Sequence, residues 1–400
     1  MKYNFDKIID RSGTHTMKHG VLEERFGRSD LLALWVADMD FETPPFITEA
    51  LKARMAHSLF GYTLIPDELW TTIIDWVDSH HQWKVEREWL SFIPGIVKGI
   101  GMAINVFVKE DEKVIIQPPV YHPFRLVPEG NYREVVNNPL VLDDATGQYS
   151  MNLKQLEEQA KDPKCRMLIL SVPHNPAGIV WDKETLARVA EICYDNNVLV
   201  ISDEIHCDMA LFGYKHIPFA TVSEKAAQCS ITFAAPSKTF NIAGIVSSYS
   251  VVPNKEIREK FYNWMVANEL NDPTLFSPIA TIAAFKHGEE WRQQMLEYVT
   301  GNILFLEDYI QKHIPGIKVM RPQASFLVWL DCRGLNLNHD ELNDLFINKA
   351  HLALNDGEMF GKEGAGFMRI NVGAPRAVLH EALDRLVAAI GLDAGLEFRV

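Results

Sequence analysis

The chain has 400 residues, 47% apolar and 23% charged, with 39 Lys plus Arg against 53 Asp plus Glu. That length exceeds one compact core and implies two domains, in a composition that is ordinary for a globular protein. A formal net charge of −14 argues against nucleic acid and anionic membranes as partners, and no apolar run is long enough to span a bilayer.

In chain order, the opening "MKYNFDKIIDRSGTHTMKHG" lacks an apolar core and a small-residue cleavage site, so a cytoplasmic protein is expected. "LLALWVADMDFETPP" (31–45) reads as extended and ends at a double proline; Asp38 and Asp40 in it line a pocket or are solvated loop acids. "LFGYT" offers Tyr62, a loop anchor on its own terms. "SFIPGIVKGIGMAI" (91–104) reads as strand, glycine turn and helix. Backbone N–H groups at such a helix start make a phosphate site, although an ordinary strand-to-helix turn reads the same way.

Four apolar runs follow, each ending in a polar cluster: "EKVIIQPPVY", "CRMLILSVPHNPAG", "NNVLVISDEIHCD" and "CSITFAAPSK". Helical patterns separate them, such as "DKETLARVAEICYDN" with Asp182 as N-cap. This alternation predicts an α/β domain with a largely parallel sheet covered on both faces. Ligands of such sheets sit beyond the carboxyl ends of the strands, so the polar clusters should converge. From about residue 286 the texture changes to one long helix ("HGEEWRQQMLEYVTGNILFLEDYIQKHI") and the alternating segments "ASFLVWLDC" and "GFMRINVGA", a smaller α+β domain. Repeats, low-complexity tracts and linkers are not evident. Five cysteines (165, 193, 207, 229, 332) are odd in number and form no CxxC pair, so reduced, buried thiols are expected rather than a disulfide framework or a zinc site.

Lys238 stands alone among small and apolar residues. A desolvated amine has a lowered pKa and attacks carbonyls; a surface lysine at a helix start is the plain alternative. Asp203 ends a β-branched strand, and a deep carboxylate needs a cation. A protonated pyridine nitrogen would serve, as would a metal shared with Glu204, His206 and Asp208. Asn175 is turn chemistry or a donor to a phenolate oxygen. Tyr121 could stack on a flat ring or fill the core. Arg369 could clamp a carboxylate in bidentate fashion or close a salt bridge.

Taken in order, the glycine turn, Tyr, Asn-Pro, Asp, Ser-Lys and Arg resemble the fold-type I enzymes dependent on pyridoxal 5'-phosphate, in the class I/II aminotransferase superfamily. The motifs "LWVADMDF", "GYT", "SVPHNPAG", "SDEIHCDM", "SKTFNIAG" and "MRINVGAP" are similar to the MalY/PatB branch of cystathionine β-lyases (cysteine-S-conjugate β-lyases), over essentially the whole chain. The resemblance implies an aminotransferase-like fold type I. Its large domain (46–285) would hold a mostly parallel seven-stranded sheet between helices, and its small α+β domain would combine 1–45 with 286–400. Lys238 would carry the cofactor as a Schiff base and act as catalytic base. Asp203 would pair with the pyridine nitrogen, Asn175 with the phenolic oxygen, and Tyr121 would stack on the ring. His206 would flank the cofactor where aminotransferases usually carry Tyr. The N–H groups of Ile96 and Val97, with Ser237, would hold the phosphate, and Tyr62 would reach it from the second subunit of a homodimer. Arg369 would bind the substrate α-carboxylate, with Tyr121, His122 and Asp38 also facing the substrate. Two positions depart from the pattern: Ala235 where the family often has Ser, and His122 where some relatives have Tyr. The implied activity is α,β-elimination of L-cystathionine or a related cysteine S-conjugate to a thiol, pyruvate and ammonia. The alternatives are transamination with the same residues, a regulator that acts by binding a protein, and a metal hydrolase; no metal is expected.

Overall fold

The computed structural model describes residues 2–391. The four apolar runs become neighbouring strands because each can bury both of its faces. Lys113–Ile116, Cys165–Ser171, Leu199–Asp203 and Ser230–Ala234 lie side by side and parallel, with Glu134–Asn137 parallel at one edge. Ser248–Val251 runs antiparallel to Ser230–Ala234, and Leu90–Ile93 antiparallel to Ser248–Val251. The result is the seven-stranded, mostly parallel sheet between helices that the sequence implies.

Successive residues of each strand enter opposite layers, as the period of two requires. Leu168, Leu170 and Val200 pack against helix Lys183–Asp195 through Leu186, Val189 and Ala190. Met167, Ile169, Ile201 and Phe233 pack against helices Ile96–Phe107 and Lys255–Ala267 through Ile100, Ile104 and Phe261. The first of these helices lies so close to the sheet that a Cβ on Gly99 would stand 2.9 Å from Ile93 and 3.2 Å from Phe233. Asp182 caps its helix as expected, accepting from Thr185 N–H at 2.8 Å.

The long helix is Glu289–His313, and Trp291, Met295, Val299, Ile303, Leu306 and Ile310 form its buried stripe. It lies beside a four-stranded antiparallel sheet ordered Lys318–Met320, Leu327–Asp331, Phe367–Asn371 and Asn355–Asp356. The N-terminal segment joins this part of the chain. Leu32–Ala33 pairs in parallel with Leu352–Ala353, and Asn371 Nδ2 donates to the carbonyls of Val36 and Asp38, both at 2.6 Å. Residues 392–400 of the expected small domain lie outside the described residues. Among the described residues no helix is long and apolar enough to cross a membrane, and all five cysteines are free and buried.

Asn241, three residues after Lys238, binds the N-terminal segment to the sheet. Its backbone is left-handed (φ 54°), a conformation that Asn tolerates better than most residues. Its Nδ2 donates to the carbonyls of Met39 (2.9 Å) and Phe41 (2.8 Å), and its Oδ1 accepts from Met39 N–H at 3.0 Å. Asn241→Ala removes three hydrogen bonds and strains the turn, so it should cost roughly 2–4 kcal/mol in urea unfolding. A loss below about 0.5 kcal/mol would show that Asn241 does not hold the segment in place.

Candidate active site

The polar clusters at the strand ends meet in one cavity of about 290 Å³. Lys238, Asp203, Asn175 and Tyr121 line it, together with Ile96, Val97, His206 and Ser237. Asp203 is the last residue of its strand, in register with Ser171 on one side and Phe233 on the other. It is buried, and its Oδ1 accepts from Ile205 N–H at 3.1 Å. Burial pushes its pKa up to about 7, and the charge of Glu204 adds to the rise. A carboxyl in this position gains most from a cation brought by a ligand.

Lys238 projects from the turn after Ser230–Ala234. Its Nζ donates to Ala37 O at 2.7 Å, and burial lowers its pKa to about 8. A substantial neutral fraction therefore exists near neutral pH, which a nucleophilic amine requires. At the opposite wall, Gly95 (φ 115°) turns the chain from strand Leu90–Ile93 into the helix beginning at Ile96. The first N–H groups of that helix have no partner within it and favour an anion. Val246 also holds a left-handed conformation (φ 57°), unusual for a β-branched residue, and the turn it makes brings Ser247 and Ser248 to the cavity wall. Ala235 is buried in the apolar layer behind and supplies no polar atom.

Arg369 lies behind Asn175 on the buried strand Phe367–Asn371. Its Nη1 donates to Asn175 Oδ1 (2.9 Å), and its Nη2 to Trp35 O (3.1 Å) and Asn355 Oδ1 (2.5 Å). Its Nε has no partner, and burial lowers its pKa to about 10. A buried cation held only by neutral acceptors is prepared for a carboxylate. Tyr121 N–H donates to Asn175 O at 3.1 Å, which ties the stacking candidate to the same loop. His206 is buried with Nδ1 unpartnered, and burial keeps its imidazole neutral. His122 stands beside Tyr121, with their ring centroids 5.1 Å apart.

One residue, Asp38, takes another place than expected. Both carboxylate oxygens of Asp38 are bonded by Arg11 (2.8 and 3.1 Å), and Lys18 Nζ lies 3.5 Å away. The neighbouring Ala37 carbonyl, not this carboxylate, faces the cavity, and Asp38 acts on Lys238 through its charge, favouring the ammonium. Tyr62 is fully exposed, in a segment where Leu59, Phe60 and Leu64 are exposed as well. The four residues of the metal alternative point apart. Glu204 accepts from Ser202 Oγ and Phe219 N–H and meets His216 at 2.7 Å, whereas Asp208 is held by Trp76 (3.0 Å) and His81 (2.8 Å). Sequence reasoning missed Arg11, Lys18, Ala37 and Asn355, none of which carries a recognisable spacing.

The donor set fits pyridoxal 5'-phosphate. It offers an amine for an aldehyde, a deep acid for a ring nitrogen, and a helix start with hydroxyls for a phosphate. The family model "Aminotransferase class I and II" matches residues 29–386. The chain is 40% identical over 387 residues to "Cystathionine beta-lyase PatB" of Bacillus subtilis, which covers 97% of this chain and 100% of that protein. It is 32% identical over 390 residues to "Protein MalY" of Escherichia coli, covering 97% and 99%. Cystalysin from Treponema denticola, solved with a pyridoxal 5'-phosphate cofactor, superposes with a TM-score of 0.94 at 32% identity, covering 98% of this chain and 99% of that one.

Proposed function

Because the chain belongs to the class I and II aminotransferase family, we propose that it is a pyridoxal 5'-phosphate-dependent carbon–sulfur lyase. In this reading it eliminates the thiol from L-cystathionine or a related cysteine S-conjugate. One observation carries the proposal: a half-buried amine (Lys238) and a buried acid without a bonded cation (Asp203) line one cavity, and a buried guanidinium without a carboxylate (Arg369) lies behind its Asn175. The relatives named cystathionine beta-lyase and cystalysin support elimination over other chemistry of the family.

When bound, the cofactor supplies an electron sink for the pair released at the substrate Cα. Lys238 Nζ would hold its aldehyde carbon and would serve as general base toward the substrate Cα proton. Arg369 fixes the α-carboxylate. Asp203, as the carboxylate, keeps the pyridine nitrogen protonated. Asn175 Oδ1 is taken by Arg369, which leaves its Nδ2 to donate to the phenolic oxygen. Tyr121 covers the ring. Ile96 N–H, Val97 N–H and Ser237 Oγ would hold the phosphate, and Ser247 and Ser248 line the same cavity. Breaking Cα–H and Cβ–S forms a carbon–carbon double bond, and the freed aminoacrylate hydrolyses to pyruvate and ammonia.

The reading includes a cytoplasmic homodimer with shared sites, in which Tyr62 reaches the partner's phosphate. The exposed apolar segment around Tyr62 supports this, and the free, buried cysteines suit a reducing compartment. The test is incubation with L-cystathionine alone and, separately, with an amino acid plus 2-oxoglutarate. Pyruvate and a free thiol are expected from the first, without added oxo acid. Glutamate from the second with no pyruvate from the first would make the protein an aminotransferase.

A further inference from the structure

A second cavity, of about 680 Å³, lies beside the turn Cys207–Met209 that follows His206. Three side chains of different chemistry meet there. His81 is the last residue of helix Asp67–His81, and Cys207 and Asp208 are consecutive in the turn. One imidazole nitrogen, the thiol sulfur and one carboxylate oxygen lie within 4.8 Å of one another. Cys207 and Asp208 are buried, and His81 is partly open to the cavity. This set shares only Asp208 with the metal alternative read from the sequence, whose members point apart.

A fourth side chain completes the pattern. His216 lines the same cavity, with its ring centroid 5.2 Å from that of His81. Its Nε2 meets Glu204 Oε2 at 2.7 Å, while its Nδ1 is buried without a partner. A carboxylate on one ring nitrogen is the usual support of a histidine that binds metal through the other, and a buried polar atom left unpaired calls for a missing partner. The surroundings also favour a cation. The helix that ends at His81 directs its negative end there. Arg292 on the cavity wall is already neutralised by Glu289, with two contacts of 2.8 Å, and Lys215 on the wall is exposed. Asp208 Oδ1 accepts from Trp76 Nε1 (3.0 Å) and meets His81 Nε2 (2.8 Å), whereas its Oδ2 has a long contact of 3.5 Å with Thr239 Oγ1.

We propose that His81, Cys207 and Asp208 form a site for Zn²⁺, with His216 Nδ1 as the fourth ligand. Imidazole, thiolate and carboxylate are the ligands that zinc takes in tetrahedral sites, whereas Mg²⁺ and Ca²⁺ would leave the sulfur unused. Bond lengths of about 2.0–2.3 Å put tetrahedral ligand atoms about 3.3–3.6 Å apart, so the widest separation closes by about 1 Å. On binding, the Cys207 thiol gives its proton to solvent and bonds as the thiolate, and the His81–Asp208 contact is exchanged for bonds to the ion. The ion would fasten the turn after His206 to helix Asp67–His81. Its role is to hold the cofactor cavity's wall from outside, not to take part in the reaction.

The test is titration of chelator-treated holoenzyme with Co²⁺ and then Zn²⁺. Tetrahedral, thiolate-bound Co²⁺ absorbs in the red, away from the cofactor. About one Co²⁺ per chain should develop these bands, and Zn²⁺ should bleach them. Cys207→Ser and His81→Gln should each weaken the metal by at least about tenfold, since even the loss of a ligand's supporting partner costs that much. Cys193→Ala, in a different buried layer, should bind as the parent does. Zn²⁺ should raise Tm in the parent and in Cys193→Ala, but not in the two ligand variants. An ion held at the cofactor's phosphate would bind unchanged in both ligand variants, and that result overturns the site. If a ligand variant does not fold, the parent's Co²⁺ spectrum decides alone: weak bands of a six-coordinate ion, or no binding, overturn it as well.

Discussion

Lys238→Ala is expected to lose turnover by at least about 10⁴-fold and to lose the absorbance near the visible edge that the bound cofactor gives the parent protein. The lysine has two tasks, holding the cofactor and moving the Cα proton, and general-base catalysis alone is worth about 10²–10⁴. Folding should survive, because Nζ makes one hydrogen bond, to Ala37 O. Lys238→Arg separates charge from nucleophilicity. It keeps a cation near Asp38 and Asp203, but a guanidinium stays protonated and does not attack an aldehyde. A structural cation would be rescued by arginine; the proposed amine would not. The direction of the pKa adds a second readout. Burial lowers Lys238 to about 8, so capture of the cofactor by the cofactor-free protein should quicken as pH rises toward 8 and then level off. A yellow, active Lys238→Ala protein would end the assignment.

Much of this site is legible in the sequence, for a physical reason. Parallel strands buried on both faces must be apolar throughout, so a polar residue at their ends stands out: Asp203 after "VLVIS", Asn175 after "SVPH", Lys238 after "FAAPS". The same argument fails for Ser248–Val251, whose two serines are buried in the sheet and lend the segment no apolar signature. It fails again for Asp38. Its partners Arg11 and Lys18 lie 27 and 20 residues earlier, in a segment without periodicity, so the carboxylate reads as free when it is bound. Backbone groups leave no mark at all: the Ala37 carbonyl that receives Lys238 is visible only in three dimensions. Asn355 holds Arg369 from a two-residue strand too short to recognise. The bond from Arg369 to Trp35 O likewise depends on a fold that brings residues 334 positions apart into contact.

Asp203→Asn should weaken catalysis while strengthening the cofactor-free protein, and the two effects have one cause. The residue is buried, and its pKa is raised from 3.8 to about 7. An acid whose folded pKa lies above its unfolded value binds its proton more tightly in the folded state. Its unfavourable contribution is therefore absent below about pH 4, grows as pH rises from 4 to 7, and stays constant above that. At pH 8 the cost is roughly 2–4 kcal/mol. Asparagine removes the charge and keeps an oxygen to accept from Ile205 N–H, so cofactor-free Asp203→Asn should be more stable than its parent by that amount in urea at pH 8, and by far less at pH 4.5. In the loaded enzyme the sign reverses. A neutral amide does not hold a proton on the pyridine nitrogen, and loss of one preorganised electrostatic partner costs about 10²–10³ in kcat. Paired unfolding curves and cystathionine turnover separate these outcomes. A variant less stable than its parent at pH 8, or one with unchanged kcat, would show that Asp203 is a structural acid satisfied within the protein.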